Sequence, residues 1–214
     1  MSRDWHAWHE EYADPASSRS RRLDVVRTQL RALLSEAAGP VRLVSMCSGD
    51  GRDTLPVLAE TGADIDAVLI ELDAELAETA RRAAHELGLD GVDVRTADAG
   101  TTDSYRGAVP ADVVMACGVF GNITDDDIAV TVARLPSLMP PGGHVIWTRG
   151  NRVPLDPTGF DGDPSDYVRG LLHVVGFEEV AFVRPDDAGF RVGVHRWPGP
   201  AAAFEDGVRM FSFV

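Results

Sequence analysis

Hydrophobic residues recur along this chain with two alternating spacings. In residues 20–36, apolar side chains lie three and four positions apart, which predicts an amphipathic helix. Further helices are predicted at residues 54–61, 74–87, 125–135 and 165–175. Between them lie short apolar runs, which predict seven strands, at residues 41–46, 66–71, 92–96, 112–116, 144–148, 179–183 and 190–195.

The order of these elements predicts the sheet. Strands that alternate with helices are joined by right-handed crossovers into a parallel sheet. Residues 184–189 are too few for a helical crossover, so the last two strands should pair antiparallel. We therefore expect an α/β fold, a doubly wound, mostly parallel seven-stranded sheet with an antiparallel last strand. Phe204, Met210, Phe211 and Phe213 predict that the tail (residues 198–214) packs on the core.

Composition narrows the class of protein. A chain of 214 residues with 44% hydrophobic and 25% charged residues fits one soluble globular domain. The formal charge of −14 disfavours nucleic acid as a partner. The sequence has neither a long apolar run nor an apolar leader, so we expect no membrane span and a cytoplasmic location. Its two cysteines give neither a disulfide framework nor zinc spacing, so we expect no metal, and the oligomeric state stays open.

The first strand leads into a turn that is suited to ligand binding. Ser48, Gly49, Asp50 and Gly51 let a ligand approach the backbone, and the helix that follows offers free N–H groups. Glu71 ends the second strand 20 residues after Gly51, the spacing of a carboxylate that binds a ribose hydroxyl. The alternative is a helix-capping or solvated acid. Neither the third dinucleotide-binding glycine nor a phosphate-loop lysine is present, which favours a nucleoside over a pyrophosphate.

Further motifs follow in a consistent order. Asp98 follows the third strand, Cys117 and Gly118 follow the fourth, and Pro-Pro-Gly-Gly at 140–143 and Gly-Phe at 176–177 precede later strands. Over residues 41–195 the chain resembles the class I S-adenosylmethionine-dependent methyltransferases. The first motif of that family is acid-x-Gly-x-Gly-x-Gly. Here Ser45 replaces the acid and Cys47 the first glycine, whereas the second and third glycines are kept.

The resemblance implies a Rossmann-like fold and S-adenosyl-L-methionine as cofactor. Glu71 would accept hydrogen bonds from the ribose diol, Asp98 would accept from the adenine amine, and the backbone of residues 47–51 would receive the methionine portion. The implied cofactor contacts are Cys47, Ser48, Gly49, Asp50, Gly51, Glu71, Leu72, Asp98, Ala99, Cys117 and Gly118. The two cysteines should lie on neighbouring strands. Their alternative interpretation is two small buried residues, and a redox role has no support.

Charges near the turn and the segment before the domain suggest further roles. Asp50 or Asp53 would supply the charge that Ser45 lacks, although Asp53 could instead cap a helix. Trp5, His6, Trp8, His9 and Tyr12 form a leader that we expect to close the site, with His9 or Tyr12 as the catalytic residue; alternatively it packs on the sheet edge. Candidates at the mouth of the pocket are Asn122, Arg149 and Asn151, and the basic run of Arg19, Arg21 and Arg22 is either a solvated helix start or a binding site for an acidic substrate.

These expectations divide the chain into three parts. Residues 1–40 would form a helical lid or cap, residues 41–197 the cofactor-binding core, and residues 198–214 the packed tail. The expected activity is methyl transfer to an oxygen, nitrogen or carbon atom of a small molecule. One alternative is a non-catalytic cofactor-binding or scaffold protein of the same fold, and another is a protein or RNA methyltransferase.

Overall fold

A central sheet organises the chain in a computed structural model, which describes residue 14 and residues 17–62, 64–150 and 162–214. Its seven strands have the order β3-β2-β1-β4-β5-β7-β6. β7 runs antiparallel to both β5 and β6, and the other described neighbours pair in parallel, so the predicted sheet is confirmed. The strands are β1 Val41–Met46, β2 Ile65–Glu71, β3 Val92–Thr96, β4 Val113–Ala116, β5 His144–Gly150, β6 Glu178–Val183 and β7 Phe190–Arg196.

Five α-helices connect and cover the strands in the described ranges. Capping side chains mark where three of them begin: Asp73, Thr124 and Asp163 each accept a hydrogen bond from a backbone N–H of the first turn that follows. The alternative role of Asp53 as a helix cap is wrong, because the N-cap of the second helix is Thr54, whose side chain makes no capping hydrogen bond. The helices are α1 Ser18–Glu36, α2 Leu55–Thr61, α3 Ala74–Glu86, α4 Asp125–Arg134 and α5 Pro164–Val175.

Two hydrophobic cores lie on opposite faces of the sheet. Along β1, Leu43 points into the core shared with α1, α2 and α3, and Val44 points into the core shared with α4 and α5. The helix that follows β1 and the helix that follows β4 therefore cover different faces. This arrangement opens a crevice beyond the carboxyl ends of β1 and β4, which is where ligands bind in such sheets.

The two ends of the described chain both pack on this framework. α1 buries Val26, Leu30 and Leu34 against the sheet. The tail buries Met210 and Phe211 in the opposite core. The expected division of the chain into lid, core and tail stays a prediction. No described helix has the length and apolar character that crossing a membrane requires.

Candidate functional site

A cavity of about 620 Å³ opens beyond the carboxyl ends of β1, β2 and β4. Its walls come from the first turns of α1, the glycine turn after β1, the ends of β2 and β3, the end of β4, and the tail. The lining residues are Arg22, Leu23, Val26, Cys47, Ser48, Gly49, Asp50, Arg52, Asp53, Glu71, Leu72, Asp73, Leu76, Asp98, Ala99, Cys117, Gly118, Arg209, Phe211, Ser212 and Phe213. Every predicted cofactor contact except Gly51 is among them.

Glu71, at the end of β2, lines this cavity and also holds the turn after β1. Its Oε2 accepts a hydrogen bond from Gly49 N at 2.7 Å, and its Oε1 accepts one from Asp73 N at 2.9 Å. Burial raises the pKa of this carboxyl group, and the two backbone N–H groups oppose that rise. The interpretation of Glu71 as a solvated or helix-capping acid is wrong, because the side chain is buried and the cap of α3 is Asp73. Each oxygen keeps capacity to accept a further hydrogen bond.

The turn after β1 has a backbone that ordinarily requires glycine. Cys47 has φ of 50° and is the one non-glycine residue with positive φ in the described part of the chain. Gly49 and Gly51 follow with φ of 57° and 74°. A Cβ on Gly51 would lie 2.6 Å from Leu55 Cδ1 and 3.1 Å from Leu69 Cδ2. Gly51 therefore allows close packing of α2 on β2 and lies behind the wall of the cavity.

The acids that follow the turn have different surroundings. Asp50 forms an ion pair with Arg52. Asp53 accepts a hydrogen bond from Thr54 Oγ1 at 3.0 Å, and burial raises the pKa of its carboxyl group, while the nearby charge of Arg22 lowers it. Within the predicted basic run, Arg22 faces the cavity. Arg21 instead forms an exposed ion pair with Asp187 at 2.8 Å.

At the end of β3, the predicted adenine-binding acid already has partners. Asp98 Oδ1 accepts a hydrogen bond from Gly100 N at 2.8 Å, and its Oδ2 lies 2.5 Å from Nη1 of Arg209 in the tail. The next residue, Ala99, is buried and lines the cavity. The sequence did not indicate that a tail arginine would reach this carboxylate.

The two cysteines line the cavity at the ends of neighbouring strands, as predicted for β1 and β4. Their side chains pack in different cores, Cys47 with the α4 side and Cys117 with the α1 side. Burial raises the pKa of both thiols, which keeps them protonated at neutral pH. These surroundings favour the interpretation of two small buried residues over that of a nucleophile or a redox pair.

The residues that line the cavity carry a negative net formal charge. Five carboxylates face three guanidinium groups, namely Asp50, Asp53, Glu71, Asp73 and Asp98 against Arg22, Arg52 and Arg209. Such a lining favours a cationic ligand over a pyrophosphate. No group of three or more metal-ligating side chains occurs within the described ranges.

The remaining residues that were predicted to lie at the site are either away from the cavity or outside the residues that the structure describes. Arg149 is buried beneath the β4–α4 loop, where it pairs with Asp125 at 3.1 Å and donates to Phe120 O, so its expected place at the mouth of the pocket is wrong. Asn122 is not among the lining residues, and its Nδ2 donates to Gly118 O at 2.5 Å. His9, Tyr12 and Asn151 lie outside the described residues.

The chain is similar in sequence to one protein family and similar in fold to several solved structures. Residues 43–143 match the sequence profile of a family described as a methyltransferase domain. A search of curated proteins gives no match. The fold is similar to magnesium protoporphyrin IX methyltransferase from Synechocystis PCC 6803 with bound SAM, with a TM-score of 0.67, 15% identity and coverage of 92% of each chain.

Two further solved structures also have similar folds. An O-methyltransferase family protein from Burkholderia thailandensis has a TM-score of 0.59 and 15% identity, over 84% of this chain and 59% of that one. The Methanococcus jannaschii fibrillarin pre-rRNA processing protein has a TM-score of 0.59 and 17% identity, over 75% of this chain and 67% of that one. At such identities the likeness establishes the Rossmann-like fold, and the substrate needs separate arguments.

Proposed function

We propose that this chain carries a class I S-adenosylmethionine-dependent methyltransferase domain, which methylates a small molecule at oxygen, nitrogen or carbon. The observation that carries the proposal is the cavity beyond β1, β2 and β4, which buried Glu71 lines. Its volume of about 620 Å³ lies within the 300–1,000 Å³ that small-molecule sites typically occupy.

The residues present fit the cofactor. When bound, S-adenosylmethionine supplies an electrophilic methyl group on a sulfonium cation. Glu71 would accept hydrogen bonds from the ribose diol, because both of its oxygens keep acceptor capacity. Ser48 Oγ is buried without a hydrogen-bond partner beside the cavity, and a polar group of the methionine portion would satisfy it. Arg22 and Asp53 offer opposite charges at the same side of the turn for a zwitterionic amino acid group.

The negative charge of the lining gives the chain a way to distinguish cofactor from product. Loss of the methyl group leaves a neutral thioether, so the Coulombic attraction of the excess carboxylates acts on the cofactor alone. We expect this attraction to weaken as salt increases, since part of the lining is exposed. Positioning of the reactants, rather than a strong base, would then supply most of the rate enhancement.

A small acceptor fits the surroundings better than a macromolecule. Leu23 and Val26 of α1 and residues of the tail enclose the cavity, and the formal charge of −14 repels nucleic acid. RNA, the substrate suggested by the name of the fibrillarin neighbour, is therefore the alternative. We keep His9 or Tyr12 as the proposed catalytic residue, which deletion of residues 1–15 tests through loss of turnover without loss of fold.

The decisive experiment uses cofactor with a labelled methyl group. The purified chain is incubated with a metabolite extract in one reaction and with intact RNA and protein in another, and the labelled product is identified. Label in a small molecule alone supports the proposal, and label in a macromolecule alone contradicts it. Calorimetry with S-adenosylmethionine and S-adenosylhomocysteine tests the scaffold alternative, which binding of neither compound would favour. A cytoplasmic location belongs to the same proposal, because both cysteines are free thiols that a reducing compartment preserves.

A further inference from the structure

The tail is fixed directly across the loop that follows β3. Thr101 and Arg209 form an isolated antiparallel bridge, and Met210 N donates to Gly100 O at 2.7 Å. Met210 and Phe211 are buried in the core on the α4 side. These contacts hold residues 209–213 at the cavity, so that this part of the tail is a built wall of the site.

Within this wall, Arg209 controls the orientation of Asp98. The carboxylate is held at Oδ1 by Gly100 N and at Oδ2 by Arg209 Nη1, at 2.8 and 2.5 Å. Two partners on different oxygens fix the rotation of a carboxylate, and each oxygen can still accept another hydrogen bond. Because the pair is about half exposed, its contribution to the stability of the fold is small.

Apolar side chains with unusual exposure lie at the same cavity. Leu72 is 68% exposed at the end of β2, and Phe213 of the tail is 41% exposed. Both line the cavity. Exposed apolar side chains that gather at one cavity favour a ligand with an apolar, planar part, and an aromatic ring is well suited to pack on such a part.

We propose that residues 209–213 belong to the cofactor site, with Arg209 as a positioning residue that orients Asp98 toward the exocyclic amine of adenine and with Phe213 packing against the base. The inference rests on the proposed function, because the ligand is the same cofactor. It assigns to the tail the discrimination of adenine from other purines.

Binding of two product analogues tests the role of Arg209. S-adenosylhomocysteine carries the exocyclic amine, and S-inosylhomocysteine carries an oxygen in its place. We expect Arg209→Met to reduce the ratio of the two affinities by about three- to tenfold. Arg209→Lys should restore part of the ratio, because it keeps the charge. The matched control is Arg134→Met, which removes another exposed ion pair between the body and the tail, Arg134 to Glu205 at 2.9 Å, and should leave the ratio unchanged.

Phe213→Ala provides a separate readout that does not depend on the amine. Both analogues present a purine ring, so both should bind about three- to tenfold more weakly with their affinity ratio preserved. Val174→Ala, at a residue that is 82% exposed on α5, is the control for loss of an exposed apolar side chain. Thermal unfolding followed by circular dichroism establishes that each variant is folded.

The outcomes separate this inference from the proposed function. Wild-type affinity ratios in Arg209→Met together with wild-type affinities in Phe213→Ala overturn the role of the tail and leave the methyltransferase proposal standing. If the wild-type chain binds neither of the two analogues and does not bind the cofactor, the proposed function is overturned, and this inference with it.

Discussion

Replacing Gly51 with alanine adds a methyl group where the packing of α2 on β2 leaves no room. The new Cβ would lie 2.6 Å from Leu55 Cδ1, 2.9 Å from Leu55 Cγ and 3.1 Å from Leu69 Cδ2. Both leucines are buried, so neither can move away into solvent. The substitution also forces alanine to adopt φ of 74°.

The expected magnitude is the sum of two effects and a small offset. The left-handed backbone costs alanine about 1–2 kcal/mol, and the reduced entropy of the unfolded chain returns about 0.4–1 kcal/mol. Overpacking in a closed core adds about 1–3 kcal/mol. We therefore expect Gly51→Ala to lower the free energy of unfolding by about 3 kcal/mol.

Gly62→Ala is the matched control for this calculation. Gly62 ends α2 with φ of 56°, but a Cβ there meets no atom within 4 Å. The control should therefore lose only about 1 kcal/mol, the backbone cost without the overpacking. Urea unfolding at constant m-value measures both variants. A difference of less than about 0.5 kcal/mol between them would show that α2 and β2 adjust to the methyl group, and would refute the reasoning.

Three further predictions concern charge. Glu71→Gln should weaken cofactor binding about 10- to 100-fold in calorimetry, because its charge-assisted hydrogen bonds are lost; an unchanged affinity would remove Glu71 from the site. Burial lowers the pKa of His195 to about 4. Because the ordinary pKa of histidine is 6.5, His195 contributes stability above pH 6.5 that is lost as the pH falls toward 4. The loss should reach up to about 3 kcal/mol. The difference in unfolding free energy between wild type and His195→Asn, measured across this pH range, should show the same loss. Asp163→Ala removes the cap of α5 and the buried partner of Arg191 at 2.7 Å, and should cost about 3 kcal/mol in urea unfolding, whereas Asp187→Ala breaks an exposed pair and should cost less than about 1 kcal/mol.

Regular spacing of apolar residues made most of the fold predictable. The bounds of β1 and β3 match the predicted residues: β1 is mostly apolar and ends at a glycine turn, and β3 alternates apolar Val92 and Val94 with polar residues before a polar loop. The antiparallel placement of β7 followed from the length of the loop before it. The spacing could not predict the order of β6 and β7 in the sheet, because two strands joined by a short loop can be added to the edge of a sheet in either order.

The site was predictable where it follows from strand ends and unpredictable where distant segments meet. Glu71 ends β2 and Asp98 follows the neighbouring parallel strand β3, so their approach to one cavity follows from the topology. Arg209 reaches Asp98 across 111 positions of sequence, and no local pattern encodes that distance. The apolar residues of the tail indicated that it packs, but not that it packs beside the cavity.

Replacement of the acid in the first motif has a physical explanation in the neighbouring strand. Ser45 is buried and its hydroxyl has no hydrogen-bond partner, so it does not organise the turn that follows. The turn is held instead by β2: Ser48 N donates to Ile70 O at 3.0 Å, and Gly49 N donates to Glu71 Oε2 at 2.7 Å. One carboxylate therefore fixes the turn and faces the cavity at once. Under the proposed role of Glu71 at the ribose, the order of the turn and the affinity for the cofactor should change together.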